Sequence, residues 1–106
     1  MAWILLVTAG ALEVVWALAL KRSEGFSRVP ESLLFVLAAA ASFVLLARAL
    51  KDLPVGTGYA VWTGIGAVGT AILGIVLLGE AATAARLGSI ALIAAGIVGL
   101  AVSGAH

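Results

Sequence analysis

Residues 10–17 read Gly10-Ala11-Leu12-Glu13-Val14-Val15-Trp16-Ala17, and they place one acidic residue in the middle of a long apolar segment. Glu13 is the only charged side chain between Met1 and Leu20. If this segment spans a bilayer, the carboxyl group lies near half depth, where insertion of a charge costs about 2.5–3.5 kcal/mol. An acidic residue with so high a cost of insertion indicates that Glu13 has either a partner within the protein or a function.

The composition is that of a membrane protein. Of the 106 residues, 64% are hydrophobic and 10% are charged, whereas soluble domains carry about 25% charged residues. The net charge of +1 gives no basic patch of the kind that binds nucleic acid. The chain has no cysteine, which excludes disulfides and thiolate metal sites, and its one histidine is the last residue, His106. We expect a solvated chain end there rather than a ligand, and we predict no metal, no cofactor and no enzymatic activity.

Four apolar stretches separated by short polar segments predict an all-α integral membrane fold, with a single domain over residues 1–106. The predicted transmembrane helices cover about residues 3–20, 31–50, 57–78 and 84–102. At a rise of 1.5 Å per residue, the 18 residues of the first helix cover ~27 Å, which is enough to cross the hydrocarbon core.

The basic residues give only a weak orientation signal. One side of the membrane would carry four of them, and the other side would carry two: Lys21, Arg22, Arg28 and Arg86, against Arg48 and Lys51. This positive-inside bias would make the first and third loops cytoplasmic. Because the bias is small, insertion in both orientations remains open.

Aromatic and small residues share one face of the third helix. Tyr59, Trp62 and Gly66 recur at helical spacing, and Gly69 and Leu73 continue the row. Tyr59 is near the helix start, where an interfacial aromatic belt is the alternative to a site role. Trp62 lies deeper, so the belt interpretation is weaker for it. The glycines Gly64 and Gly66 permit close helix contact or a bend.

The other helices contribute few polar groups. Trp16 lies one turn after Glu13 on the same face of the first helix. Ser42 is the polar residue at depth in the second helix, and it either serves the site or bonds to its own i−4 carbonyl. The fourth helix carries small residues that suit packing against a second copy of the chain: Gly88, Ser89 and Gly96.

An internal partner for Glu13 is hard to find, because no Lys or Arg lies in the middle of any helix. A carboxyl group in an apolar site favours its neutral form and therefore binds a proton. The same carboxylate can bind a cation once the proton has left, which is the minimum logic of a proton-coupled antiporter. Trp16 and Trp62 offer ring faces for cation–π contact, and a planar guanidinium can pair with the carboxylate through two hydrogen bonds.

The chain resembles the small multidrug resistance transporters over essentially its whole length. The resemblance rests on four short helices, the acidic residue of the first helix and the run Gly56-Thr57-Gly58-Tyr59-Ala60-Val61-Trp62-Thr63-Gly64-Ile65-Gly66. Within the family, Glu13-Val14-Val15-Trp16-Ala17 and Trp62-Thr63-Gly64-Ile65-Gly66-Ala67 resemble the guanidinium-exporter branch. The chain departs from the family at Gly58, where alanine is usual, and at Ala81, where proline is common.

The resemblance implies an antiparallel, dual-topology homodimer in a bacterial inner membrane, exchanging guanidinium for protons by alternating access. It implies that Glu13 carries substrate and proton and that Trp16 flanks it. Ser42 and Trp62 would hydrogen-bond the carboxylates, and Tyr59 would act near the portal. The bend would lie at residues 64–66, and the fourth helix would pack the dimer. Two alternatives remain open at this point: export of broader quaternary ammonium or hydrophobic cations, and a non-transporting membrane subunit.

Overall fold

Four α-helices make up most of the chain in the computed structural model, which describes residues 1–103. His106, expected to be a solvated end, lies outside the described residues. The helices are α1 (Ala2–Arg22), α2 (Val29–Ala49), α3 (Val55–Leu78) and α4 (Ala84–Ser103). All four are long and apolar enough to cross a membrane. The prediction of an all-helical chain with four potential spans is confirmed, whereas the antiparallel pair and the single domain over residues 1–106 stay predictions.

The helix ends follow from local sequence. Pro30 occupies the first turn of α2, where a missing N–H leaves no hydrogen bond unmade. α3 ends at Gly79, whose φ of +70° is the left-handed conformation that glycine adopts without steric cost. The first loop turns on Ser23, which is buried: its hydroxyl donates to the Leu20 carbonyl at 2.7 Å and accepts from the Phe26 N–H at 3.1 Å.

Helix α1 is the centre of the arrangement, because it packs against both α2 and α3, while α2 and α3 touch each other only slightly. Among the described residues, α4 packs against α3 alone. The buried core lies towards the end of the molecule that carries the second loop, and it consists of Leu6, Ala9, Leu46, Ala49, Leu53, Val61 and Trp62. Much of the remaining apolar surface is exposed, as expected for helices that face lipid or another chain.

Candidate functional site

Glu13 faces α3 at Gly66. A side-chain carbon at Gly66 would overlap the carboxyl group of Glu13, so the carboxyl group occupies space that only a glycine leaves free. The same holds one turn away, where a side chain at Gly69 would run into Val14. Three residues before Glu13, Gly10 leaves room for Ile65, whose Cγ2 would lie 2.6 Å from an added Cβ. Small residues on both helices therefore bring α3 up to the acid.

The Glu13 carboxyl group has an unsatisfied oxygen. Oε1 is buried and has no hydrogen-bond partner among the described residues. The ion pairs of the described chain all lie outside the helix interiors, in Arg28–Glu24, Arg28–Glu31 and Arg86–Glu80. A buried acceptor without a donor costs free energy comparable to a lost hydrogen bond. Such an atom needs a proton, a cation or a donor from elsewhere.

Ser42 and Trp62 form a hydrogen-bonded link across three helices. The Ser42 hydroxyl donates to the Ala9 carbonyl of α1 at 2.6 Å and accepts from the Trp62 indole N–H at 2.9 Å. The alternative that Ser42 bonds to its own helix is therefore wrong. Both donors are engaged away from Glu13 in this structure, so their predicted bonds to the carboxylate stay a prediction. Ala9 lies one turn before Glu13, which puts the link beside the acid.

An aromatic row connects the predicted site residues, and its middle member was not predicted. Phe43 stacks on Trp16 with ring centroids 6.5 Å apart and planes at 22°, and it contacts Trp62 at 5.2 Å. Trp62 in turn contacts Tyr59 at 5.5 Å. Phe43 follows Ser42 in a run of otherwise apolar residues, where nothing in the sequence singles it out, and its side chain is 52% exposed in the structure. Only the packing of α2 against both α1 and α3 reveals its contact with the two tryptophans.

Trp16 has the second unsatisfied polar atom. Its indole Nε1 is buried and finds no hydrogen-bond partner in residues 1–103, and its ring meets Phe35 edge-on with the ring centroids 5.8 Å apart. An unpartnered donor and the unpartnered acceptor of Glu13 thus lie one turn apart on the same helix. Buried polar atoms without a hydrogen-bond partner are uncommon in native proteins. Two of them together indicate a site that receives a ligand or a proton.

Several predicted residues lie outside this cluster. Gly64 faces α4, where an added Cβ would lie 2.8 Å from Ile97. α3 is one continuous helix through Gly64 and Gly66, and the bend stays a prediction. On α4, the space around Gly88 and Gly96 is open, and the Ser89 hydroxyl bonds to the Ala85 carbonyl of its own helix. Their role in dimer packing also stays a prediction.

The arrangement combines one carboxylate acceptor with the faces of large aromatic rings in an apolar setting. These groups suit a delocalised organic cation, which hydrogen-bonds to the carboxylate and stacks on an indole. Within residues 1–103, no group of acidic or histidine side chains is arranged to hold a metal ion. The fold and the cluster together define a multi-pass membrane protein with a single acidic site between its helices.

Comparison with known proteins gives the family. The family model described as Small Multidrug Resistance protein matches residues 1–93, and the chain belongs to this family. Membership confirms the resemblance found in the sequence, and it confirms that the chain is a transporter rather than an enzyme.

The individual relatives are similar over nearly their full length. The chain is 67% identical over 100 residues to the guanidinium exporter of Yersinia pseudotuberculosis, covering 94% of this chain and 96% of the relative. It is 63% identical over 103 residues to the guanidinium exporter of Escherichia coli K12, and 59% identical over 103 residues to that of Salmonella typhimurium. Both alignments cover 97% of this chain and 98% of the relative.

Proposed function

We propose that this chain exports guanidinium, and that it does so by exchanging the cation for protons at Glu13. The observation that carries the proposal is the buried Oε1 of Glu13, which has no hydrogen-bond partner within residues 1–103 and rests against a glycine. The names of the relatives support guanidinium as the substrate. The exchange mechanism rests on the chemistry of the acid.

A flat cation fits the surroundings of Glu13 better than a bulky one. The Trp16 ring is fixed between Phe35 and Phe43, so its indole forms a rigid wall next to the acid. A planar guanidinium can donate two parallel hydrogen bonds to the carboxylate and lie against an indole face. A tetrahedral quaternary ammonium has no N–H to donate, and it needs a deeper pocket than a planar cation does. The geometry therefore favours guanidinium over the broader multidrug alternative.

Proton coupling follows from the use of one carboxyl group for two ligands. The neutral acid offers no charge to a cation, and a bound cation displaces the proton. Each transport cycle then carries guanidinium in one direction and protons in the other. Ser42 and Trp62 are linked to Ala9, one turn before the acid, and Tyr59 contacts Trp62. We assign these three residues to binding the substrate and changing its access, with the Ser42–Trp62 hydrogen bond exchanging for bonds to the carboxylate.

A pair of oppositely oriented copies would complete the transporter. One chain supplies a single acid, and its four helices only partly enclose the space around it. Two inverted copies supply the symmetry that alternating access around a site at the membrane midplane requires. The open faces at Gly88 and Gly96 of α4 offer close packing to a second copy. The small bias in basic residues suits insertion in both orientations. We assign the pair to the inner membrane of a bacterium, in line with the bacterial relatives.

Transport in proteoliposomes tests the proposal. Purified protein in vesicles with an imposed pH gradient should take up guanidinium, and a pH-sensitive dye should report the proton counterflow. Glu13→Gln should abolish both signals, because the amide neither titrates nor balances a cation. Asp52→Asn is the matched control, since Asp52 is an exposed acid in the second loop and should leave both signals unchanged.

Three outcomes would contradict parts of the proposal. Equal guanidinium transport by Glu13→Gln removes the acid from the mechanism. Tetramethylammonium transport as fast as guanidinium transport supports the broader multidrug alternative instead. A folded wild-type protein that moves neither cation supports the non-transporting subunit.

A further inference from the structure

We propose that the outer face of α1 carries a binding site for an anionic phospholipid, separate from the Glu13 site. Two adjoining cavities form it at the end of the molecule that carries the first loop. The first is an apolar groove of about 290 Å³ whose walls include Val15, Leu18, Leu34 and Leu77. The second is a polar cavity of about 430 Å³ lined mainly by charged residues of the first loop and of the helix ends that flank it. Arg22 and Glu31 line both cavities, so the two are continuous.

The groove residues Val15 and Arg22 point to the opposite side of α1 from Glu13, whereas Lys21 lies about 80° from Glu13 around the helix. At 100° per residue, the nine positions from Glu13 to Arg22 amount to about 180° around the helix. Val15, at the far end of the groove, is 39% exposed and lies close to the Arg22 direction. A lipid in this groove would therefore neither enter the site at Glu13 nor compete with its ligand.

The charges at the polar end leave two cations without partners. Arg28 pairs with Glu24 at 3.2 Å and with Glu31 at 3.7 Å, so one arginine holds both acids of the cavity. Lys21 and Arg22 make no ion pair with any residue in the described part of the chain. They lie next to each other in the last turn of α1, where they suit a phosphodiester. Charge complementarity thus points to an anionic headgroup.

The apolar groove fits the rest of a lipid. From Val15 to Arg22 the helix rises ~10 Å, which places the groove below the charged residues and inside the hydrocarbon region. Acyl chains gain little from an apolar groove in a bilayer, because the surrounding lipid is equally apolar. The headgroup contacts of Lys21 and Arg22 must therefore supply the selectivity. The expected ligand is a phosphoglyceride with a net negative headgroup, and zwitterionic lipids should bind less tightly.

Native mass spectrometry of the delipidated full-length protein tests this site. Phosphatidylglycerol should bind at a concentration roughly tenfold or more below that of phosphatidylcholine with the same acyl chains, since each basic residue near an anionic headgroup favours binding. The double variant Lys21→Gln/Arg22→Gln should bind both lipids alike. The matched control is Arg48→Gln/Lys51→Gln, which removes two basic residues at the opposite end of the helices and should retain the preference.

Two further measurements separate the site from simpler explanations. Leu34→Trp fills the groove without changing any charge, and it should weaken phosphatidylglycerol binding in a protein that stays helical by circular dichroism. Inorganic phosphate should not displace the lipid, because it has no acyl chain for the groove.

The proposal fails if both double variants lose the preference equally, which indicates general attraction to basic residues. It also fails if phosphate displaces the lipid, or if Leu34→Trp binds phosphatidylglycerol as the wild type does. A change of oligomeric state in Leu34→Trp without any lipid preference in the wild type would mean that a second copy of the chain covers this face instead.

Discussion

The carboxyl group of Glu13 lies directly against the backbone of Gly66, at a point where α1 and α3 leave no room for a side chain. The contact sets the depth of the acid between the helices. It also explains why the carboxyl oxygen is buried although no group in the described part of the chain hydrogen-bonds to it. The glycine thus contributes to the site by the absence of a side chain, and it does so in a helix where glycine is otherwise a weak choice.

Gly66→Ala tests this contact. The added methyl group would overlap the carboxyl group, so the acid must move out of its position, and we expect guanidinium transport to fall by roughly tenfold or more, equivalent to about 1.4 kcal/mol. Alanine is intrinsically the better helix former by about 1 kcal/mol, so helix propensity alone would not reduce the function. Uptake in proteoliposomes measures the change.

Gly56→Ala is the control for that variant. Gly56 lies in the first turn of α3 and has open space around it, so a methyl group there displaces nothing. Its transport should equal that of the wild type. If Gly66→Ala also transports guanidinium at the wild-type rate, the close contact does not position the acid.

Ser42→Ala should destabilise the helix packing. The change removes the bond to Ala9 and leaves the Trp62 indole N–H without its acceptor. Hydrogen bonds between membrane helices average about 0.6 kcal/mol, so the loss of both should lower the free energy of unfolding by about 1 kcal/mol. Unfolding in mixed micelles of increasing denaturing detergent measures it. Ser89→Ala, which removes a bond within one exposed helix, should have a much smaller effect; equal effects would show that the link across α1, α2 and α3 does not stabilise the fold.

The helices were predictable because their signal is local. Each apolar run is long enough to span a bilayer, and the charged or turn-forming residues that end it are explicit in the sequence. Glu13 was equally clear, because an acid in a membrane helix is costly wherever it points. Neither inference depends on how the helices rotate relative to one another.

The contacts of the site depend on that rotation, and they were harder to predict. Ser42 could bond within its helix or across to another, and only the packed structure selects Ala9 as its partner. Nothing in the sequence distinguishes Phe43 from its apolar neighbours, yet its ring contacts both Trp16 and Trp62. For Gly66 the sequence left open a close helix contact or a bend, and the structure shows the close contact with Glu13, while the bend stays a prediction. A helix dominated by apolar residues on all faces carries no strong pattern that fixes its rotation.

Trp16 should control which cations fit. Its ring stacks on Phe43 and meets the edge of Phe35, so Trp16→Gly would open the space next to Glu13. We expect tetramethylammonium transport to rise relative to guanidinium transport by roughly tenfold or more, a shift of about 1.4 kcal/mol. Trp16→Phe keeps a ring but removes the unpartnered N–H, and it should stay selective for guanidinium. An unchanged substrate profile in Trp16→Gly would remove this residue from the site.

Guanidinium binding should weaken as the pH falls. The cation needs the charged carboxylate of Glu13, and protonation removes that charge, so each added proton competes directly with the ligand. With one proton displaced per cation, the apparent affinity can fall by at most about tenfold per pH unit, which is the mass-action limit. In a pair of chains the two Glu13 carboxyl groups would titrate together. The change of apparent affinity with pH then describes the pair and not one residue. Tryptophan fluorescence titrations at several pH values measure the affinity. Asp52→Asn should follow the wild-type curve, and a wild-type affinity that is constant between pH 6 and pH 9 would rule out competition at the acid.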